Sequence, residues 1–102
     1  MEKLYSNSRG EYASFRKDIG YFYLSSGTMS KIEDLCDYTT SDIYLDIPNN
    51  RLVIEPTELG EFTLNSKICV RSAKEYIQSG RHKVKFTKGP EGQLWIVINF
   101  EG

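Results

Sequence analysis

Hydrophobic and polar side chains alternate at every second position in two stretches of the chain, residues 42–47 and 82–86. A period of two is typical of a β-strand with one face against a core, so both stretches are predicted strands. Residues 94–98 (Leu-Trp-Ile-Val-Ile) are apolar throughout and should form a central strand covered on both faces. With the turn residues between them, these stretches predict two hairpins, 42–54 and 82–98.

Two shorter stretches, residues 29–36 and 72–77, have the three- and four-residue spacing of an amphipathic helix. In the first, Ser30 and Glu33 are placed for a capping box. In the second, Tyr76 is predicted to share a buried face with its apolar neighbours. Helices of about two turns are not stable alone, so packing must hold both of them.

The predicted elements occur twice in the same order. Strand, strand, helix, strand, strand spans about residues 10–56 and again about residues 60–99, and each unit begins with a similar tripeptide, Gly-Glu-Tyr at 10–12 and Gly-Glu-Phe at 60–62. We interpret residues 1–102 as a single domain with this internal repeat, because the chain has the length of one domain. The predicted fold class is mostly β with two short helices, built from tandem ββαββ units.

The first unit resembles the AbrB/MazE family in residues 18–25, 41–46 and 51–54. That family's pattern runs Gly-Arg-Ile-x-Ile-Pro, a short helix, an Asp before an alternating strand, a turn and a returning aliphatic strand. Its units pair as dimers whose hairpins interlock. The resemblance therefore implies that the tandem units form a small swapped-hairpin-like barrel within one chain. Tyr21 stands where the family has its arginine, and in the second unit Lys67 occupies that place.

Charge is divided unevenly along the chain, although the net charge is −1 and the sequence pI is ≈ 5.8. Residues 1–30 have a net charge of +1, residues 31–62 of −6 and residues 63–102 of +4. Such asymmetry indicates two surfaces that meet different partners, or each other in a homodimer. A solvated protein with uneven charge would have the same composition.

DNA is the partner that the family resemblance implies, because AbrB-type members bind it through basic side chains near the Gly-Arg-Ile strand and the facing loops. The implied function is a non-catalytic, DNA-binding transcriptional regulator of bacterial or phage origin. The pI argues against strong non-specific binding, since phosphate contacts require clustered lysine and arginine. The candidate DNA-binding residues are Arg16, Lys17, Lys67, Arg71 and Lys74.

A host protein is the alternative partner. A small chain with dense acids and without recognisable catalytic motifs is typical of a phage-encoded inhibitor of a host factor, including the anti-CRISPR type. An acidic surface can imitate nucleic acid toward a basic protein, and complementary potentials speed such encounters. The candidate residues for this surface are Glu33, Asp34, Asp37 and Asp42. The two hypotheses differ in whether the basic or the acidic set forms a continuous surface.

The aromatic run at residues 21–23, Tyr-Phe-Tyr, has two interpretations. Aromatic rings stack on bases in proteins that bind single strands. The same rings can fill the core of a small barrel, which is the interpretation we favour. An alternating strand must still place some of the three rings outside.

Catalytic, metal and cofactor sites are not expected. His82 is the single histidine, it lies in an alternating strand, and no nucleophile has a local partner for a triad. Cys36 and Cys69 lack the spacing of a zinc site and are expected to be reduced thiols. We expect no membrane partner and a cytoplasmic location, because no apolar run has membrane-spanning length and residues 1–7 lack the apolar core of a signal peptide.

Overall fold

A computed structural model describes residues 10–100, and these residues form eight strands, one α-helix and two short 3₁₀ helices. The N-terminal stretch 1–7, used above to argue against a signal peptide, lies outside that range. The 3₁₀ helices are Ile47–Asn49 and Arg71–Tyr76. The other elements are β1 (Tyr12–Arg16), β2 (Tyr21–Leu24), α1 (Ser26–Leu35), β3 (Thr40–Asp46), β4 (Arg51–Thr57), β5 (Phe62–Thr63), β6 (Lys67–Cys69), β7 (Gly80–Lys88) and β8 (Leu94–Asn99).

All eight strands belong to one antiparallel sheet in the order β5-β3-β4-β8-β7-β1-β2-β6. The two end strands, β5 and β6, are consecutive in the chain and only residues 64–66 separate them. Four Cα steps span at most about 14 Å, so the two ends of the sheet must come close together. The sheet therefore curls into a nearly closed barrel.

The first unit contains β1, β2, α1, β3 and β4, and the second contains β5, β6, the 3₁₀ helix Arg71–Tyr76, β7 and β8. The hairpin β3–β4 lies between β5 and β8 of the second unit, and the hairpin β7–β8 lies between β4 and β1 of the first. Exchanging the two units preserves every pair of neighbouring strands except β1–β2, whose counterpart is the gap between the end strands β5 and β6. The expected fold class, tandem ββαββ units in a swapped-hairpin-like barrel, is confirmed.

Two residue pairs mark the pseudo-two-fold axis of this exchange. Phe22 lies opposite Ile68 in the β2–β6 pair, and Val53 lies opposite Val97 in the β4–β8 pair. In each case the two residues come from equivalent strands of the two units. The axis therefore passes through the barrel from the β2–β6 side to the β4–β8 side.

The inward-facing side chains of the strands form the core. Phe15 and Phe22 contact each other with ring centroids 4.7 Å apart, and Ile54, Ile96 and Ile98 are buried in the same cluster. β8 lies between β4 and β7, and its residues are buried at three successive positions, 96 to 98. The prediction of a central strand covered on both faces is confirmed.

The N-terminus of α1 differs from the predicted capping box. The helix begins at Ser26, and the cap is Ser25, whose Oγ accepts a hydrogen bond from the Thr28 backbone N–H at 3.1 Å. Ser30 lies inside the helix instead. The reason is tertiary, because the Ser25 hydroxyl also donates to the carbonyl oxygen of Gly10 at 2.6 Å and so joins the helix start to the chain entering β1.

The second predicted helix is a 3₁₀ helix, Arg71–Tyr76, rather than an α-helix. Ala73 and Ile77 are buried as expected, but Tyr76 is 51% exposed, so its predicted place on the buried face is wrong. The helix ends at Tyr76, and Ile77 follows it in an extended conformation with φ −123 and ψ 131. Ile77 is therefore buried as part of the segment that leads to β7, and it does not share a helical face with Ala73 and Tyr76.

The aromatic residues of the matching tripeptides at 10–12 and 60–62 lie on opposite faces of the sheet. Tyr12 pairs with Lys83 on the outside of the sheet, whereas Phe62 packs against the core. A shift of one residue reverses the face of a strand position. The two tripeptides are therefore offset from each other in the barrel, although both lie at the start of a unit.

Among residues 10–100, the single α-helix has ten residues and none of the helices is long and apolar enough to span a bilayer.

Candidate nucleic-acid interface

Cross-strand pairing brings basic and aromatic side chains together on the outer face of β7, β1, β2 and β6. Arg81 lies opposite Ser14, Ser14 lies opposite Tyr23, and Tyr23 lies opposite Lys67. Directly opposite residues project from the same side of a sheet, so these four form one row across four strands. We call this surface the basic-aromatic face; it comprises Tyr12, Ser14, Arg16, Tyr21, Tyr23, Lys67, Cys69, Arg71, Arg81, Lys83 and Lys85.

The ring of Tyr21 is where two of the predicted DNA-binding residues meet. The Lys67 Nζ lies 4.6 Å from the ring centroid and the Arg71 Cζ lies 5.8 Å from it. Lys67 is also 6.0 Å from the ring of Tyr23, whose centroid is 6.5 Å from that of Tyr21. Cations at these distances are attracted by the ring quadrupole. The two tyrosines therefore hold the cations at the surface without neutralising them.

Gly20 fixes the position of Arg71. The backbone of Gly20 has φ +71, and its carbonyl oxygen accepts a hydrogen bond from the Val70 N–H at 2.8 Å. A Cβ at Gly20 would lie 2.8 Å from Arg71 Cγ, too close for any side chain to be added without movement. Arg71 Nε donates to the Ile19 carbonyl oxygen at 3.4 Å. The turn between β1 and β2 thus supports the start of the second 3₁₀ helix.

Arg81, Lys83 and Lys85 extend the basic-aromatic face along β7. Arg81 Cζ lies 4.1 Å from the centroid of the Tyr12 ring, and the two lysines are exposed at the alternate outward positions. Sequence reasoning did not include these three residues in the candidate site. The signal was present in the alternation of residues 82–86, which places both lysines on the outer face.

The remaining predicted DNA-binding residues lie at the edge of this face. Arg16 lies opposite Tyr21 and forms an ion pair with Asp18, with 3.1 Å between Arg16 Nη2 and Asp18 Oδ2. Lys17 is half-buried, and its backbone N–H donates to Ser79 Oγ at 3.0 Å. Lys74 is exposed on the second 3₁₀ helix. Arg16, Lys67 and Arg71 thus come together around Tyr21, while Lys17 and Lys74 lie in the adjoining turn and helix.

The basic-aromatic face is not neutralised by local acids. Within residues 10–100, Lys67, Arg71 and Arg81 have no carboxylate oxygen within 4.0 Å. Arg16 has Asp18, but both side chains of that pair are about 60% exposed. An exposed ion pair contributes only about 0–1 kcal/mol, so Asp18 is a weak competitor for an incoming anion.

The acidic candidates are divided between two places. Glu33 and Asp34 are exposed on α1, Asp37 follows that helix, and Asp42 lies on β3. Glu33 and Asp37 line one small pocket of 300 Å³ beside the helix. The Asp42 carboxylate accepts a hydrogen bond from the Glu61 N–H at 3.1 Å and does not line that pocket. The four residues therefore do not share a single pocket.

Equivalent strands of the two units have opposite charge. β3 carries Asp42 and Asp46, whereas β7 carries Arg81, Lys83 and Lys85. Asp46 lies in a local network in which hydrogen bonds from Asn49 and Arg51, at 2.9 Å and 2.7 Å, lower the pKa of its carboxyl group below 3.8. The charge asymmetry of the sequence is therefore also an asymmetry about the pseudo-two-fold axis.

His82 and the two cysteines are the other side chains with possible reactivity, and their surroundings are those of structural residues. His82 Nε2 lies 2.6 Å from the Gln78 carbonyl oxygen, and the ring packs edge-on against Phe22 with centroids 6.2 Å apart. Cys36 and Cys69 are free thiols. In the part of the chain that the structure describes, no three histidine, cysteine or acidic residues converge as metal ligands.

Comparison with known proteins finds no matching family model, no matching curated protein and no matching solved structure. The resemblance to the AbrB/MazE family stays a prediction, and the functional argument rests on the residues of this chain.

Proposed function

We propose that the protein is a non-catalytic DNA-binding regulator whose basic-aromatic face contacts the phosphate backbone of duplex DNA. The observation that carries the proposal is the convergence of Lys67 and Arg71 on the ring of Tyr21, with Arg16 opposite that ring on the next strand. Lysine and arginine that neutralise phosphates release counterions, and that release supplies most of the affinity of a backbone contact.

The covered tyrosine rings favour duplex DNA over an unstacked single strand. Single-strand binders use free ring faces on which bases stack. Here Lys67 and Arg71 lie over Tyr21, and Arg81 lies over Tyr12 at 4.1 Å. These rings therefore serve as supports for cations, and their hydroxyl groups are suited to donate to phosphate oxygens.

The spacing of the cations also suits a duplex. The row from Arg81 to Lys67 crosses four neighbouring strands. Three interstrand steps of about 4.8 Å separate its ends by about 14 Å. The major groove of B-DNA is about 12 Å wide, so cations at the two ends can reach phosphates on both of its edges.

Binding is tested by fluorescence anisotropy of a labelled random-sequence duplex at two salt concentrations. We expect wild-type protein to bind at low salt, and the affinity to fall steeply as salt rises. The double variant K67E/R71E should bind at least about tenfold more weakly, with a smaller salt dependence, because each lost phosphate contact lowers the slope of log K against log salt by about 1.

The control is K88E, which reverses a single charge at the end of β7 and is therefore also compared with K67E and R71E made singly. Lys88 lines a groove together with Leu35 and Tyr38, apart from the basic-aromatic face. K88E should therefore bind nearly as tightly as wild type. Absence of low-salt binding by folded wild-type protein, or equal losses for K88E and K67E/R71E, would contradict the proposal.

A protein-binding function is the second candidate, and the groove beside α1 is the feature that favours it. This 760 Å³ groove is lined by Leu35, Asp37, Tyr38, Glu55 and Glu91, among others. Leu35 and Tyr38 are each 50% exposed, and the acids around them would suit a basic segment with apolar anchors. Such an inhibitor of a host factor should lose its partner in an L35D/Y38A variant, whereas DNA binding by that variant should be unchanged.

A further inference from the structure

The basic-aromatic face crosses the pseudo-two-fold axis, but its two halves are chemically different. In the β2–β6 pair Tyr21 lies opposite Cys69 and Tyr23 lies opposite Lys67, on either side of Phe22 and Ile68. Exchanging the units therefore places Lys67 where Tyr21 is and Cys69 where Tyr23 is. A homodimer of identical units would show the same side chains on both sides of such an axis.

The difference in surface charge between the two sides increases away from the axis. On one side, β1 and β7 carry Arg16, Arg81, Lys83 and Lys85 on the outer surface. On the other side are the short strand β5 and then β3 with Asp42. Lys83 on β7 and Asp42 on β3 each lie beside the start of a unit. Lys83 pairs with Tyr12 near the start of the first unit, and the Asp42 carboxylate accepts a hydrogen bond from the Glu61 N–H near the start of the second.

We propose that one chain binds DNA asymmetrically about the pseudo-two-fold axis, with the duplex over β7, β1, β2 and β6 and most of its contacts on the β1–β7 side, and that it recognises a site that is not palindromic. This inference rests on the proposed DNA-binding function and specifies its ligand. Arg81, Lys83 and Lys85 are assigned as phosphate-binding residues in addition to Lys67 and Arg71. A duplex centred on the axis would extend as far toward β3 as toward β7, and its phosphates on the β3 side would face Asp42, where like charges repel.

The orientation is tested with two charge variants at corresponding places. K83E/K85E removes cations on the β7 side and should weaken binding at low salt by about tenfold or more, as K67E/R71E does. D42K adds a cation on the β3 side. If the duplex is displaced toward β1 and β7, D42K should change the affinity by less than about threefold, since charges beyond a Debye length of about 10 Å are largely screened.

A second measurement tests the asymmetry of the site directly. Protein should be used to select duplexes from a pool with a randomised central segment, and the enriched sequences should be compared with their own reverse complements. The inference expects enriched sites without inverted repeats, bound with one chain per duplex in sedimentation analysis. Enriched inverted repeats would overturn it.

The outcomes separate this inference from the function on which it rests. If K67E/R71E loses binding but K83E/K85E does not, or if D42K strengthens binding as much as K83E/K85E was expected to weaken it, the duplex is centred on the axis and the asymmetric arrangement is wrong. If folded wild-type protein binds no duplex at low salt, the DNA-binding function itself is wrong. Circular dichroism of each variant shows that a loss of binding is not a loss of folding.

Discussion

Phe22 and Ile68 lie directly opposite each other in the antiparallel β2–β6 pair, and both are almost completely buried. One comes from the second strand of the first unit and the other from the second strand of the second unit. The side chains of the basic-aromatic face lie on the outer surface of the same two strands. Packing at this pair therefore determines where the outer tyrosines and cations are held.

Truncation of Phe22 should strongly destabilise the protein. Its side chain is 0% exposed and its ring is 4.7 Å from that of Phe15, so F22A removes many contacts and leaves a cavity. We expect a loss of about 3–5 kcal/mol in the free energy of unfolding, measured by urea denaturation. I68V, which removes one methylene from the opposite residue, should cost about 0.5–1.5 kcal/mol. Equal losses for the two variants would contradict the assigned packing.

Alanine at Gly20 should impair both stability and DNA binding. Gly20 has φ +71, and a Cβ there would collide with Arg71. Gly92 is the matched control, because it has φ +80 and no atom within 4 Å of a Cβ placed on it. G92A should cost about 1–2 kcal/mol through backbone strain alone.

G20A should cost more than G92A in urea denaturation, because the collision adds to the same strain. It should also weaken DNA binding in anisotropy titrations at a temperature where the variant is folded, since Arg71 must move. A G20A variant that is as stable as G92A and binds DNA like wild type would show that the turn does not position Arg71.

The strands could be predicted from the sequence because their signal is local. Alternation in residues 42–47 and 82–86 reports a strand with one buried face wherever that strand pairs, and both stretches lie within observed strands or their adjoining turn. The helix start was different. Ser25 is the cap because its hydroxyl reaches Gly10, fifteen residues away, and no window around the helix contains that contact.

Only part of the candidate site could be predicted, because only some of its residues lie in a local sequence motif. Lys67 and Arg71 were found through the position of the family's arginine, which lies within a short motif. Arg81 was missed, because it belongs to the face only through the pairing of β7 with β1, in which it lies opposite Ser14. Ser14 and Arg81 are 67 residues apart in the chain and are brought together by the fold of the whole barrel. The local periodicity of the sequence does not predict such a pairing.

Removal of the Asp18 carboxylate should strengthen DNA binding without changing stability. Asp18 forms an ion pair with Arg16 at 3.1 Å, and the side chains are 63% and 60% exposed, respectively. In D18N the arginine becomes free for phosphate and a repelling charge is lost. We expect affinity to rise by up to about fivefold at low salt, which corresponds to the roughly 1 kcal/mol of an exposed charge pair.

The control for D18N is D34N, which removes the same charge from α1. Asp34 is exposed on that helix, away from the basic-aromatic face, so D34N should change DNA affinity much less. Both variants should unfold within about 0.5 kcal/mol of wild type, as is usual for surface substitutions. If D34N strengthens binding as much as D18N, the effect is one of net charge and Asp18 has no special place beside the interface.

The Asp46 network should make a contribution to stability that depends on pH. Hydrogen bonds from Asn49 and Arg51 lower the pKa of the Asp46 carboxyl group below 3.8 in the folded protein. A group whose folded pKa is depressed stabilises the fold when ionised, so the contribution is present above pH 3.8 and is lost as the pH falls through the lower folded value. The urea midpoint of D46N should therefore lie below that of wild type near neutral pH, and the two midpoints should converge well below pH 3.8.

A double-mutant cycle with N49A identifies the source of this pH dependence. Asn49 Nδ2 donates to Asp46 Oδ2 at 2.9 Å, and this hydrogen bond is the largest cause of the lowered pKa. In the N49A background, the D46N substitution should change the urea midpoint less, and the difference should vary less with pH. A D46N effect of the same size at neutral and strongly acidic pH would mean that the ionised carboxylate is not what stabilises the turn between β3 and β4.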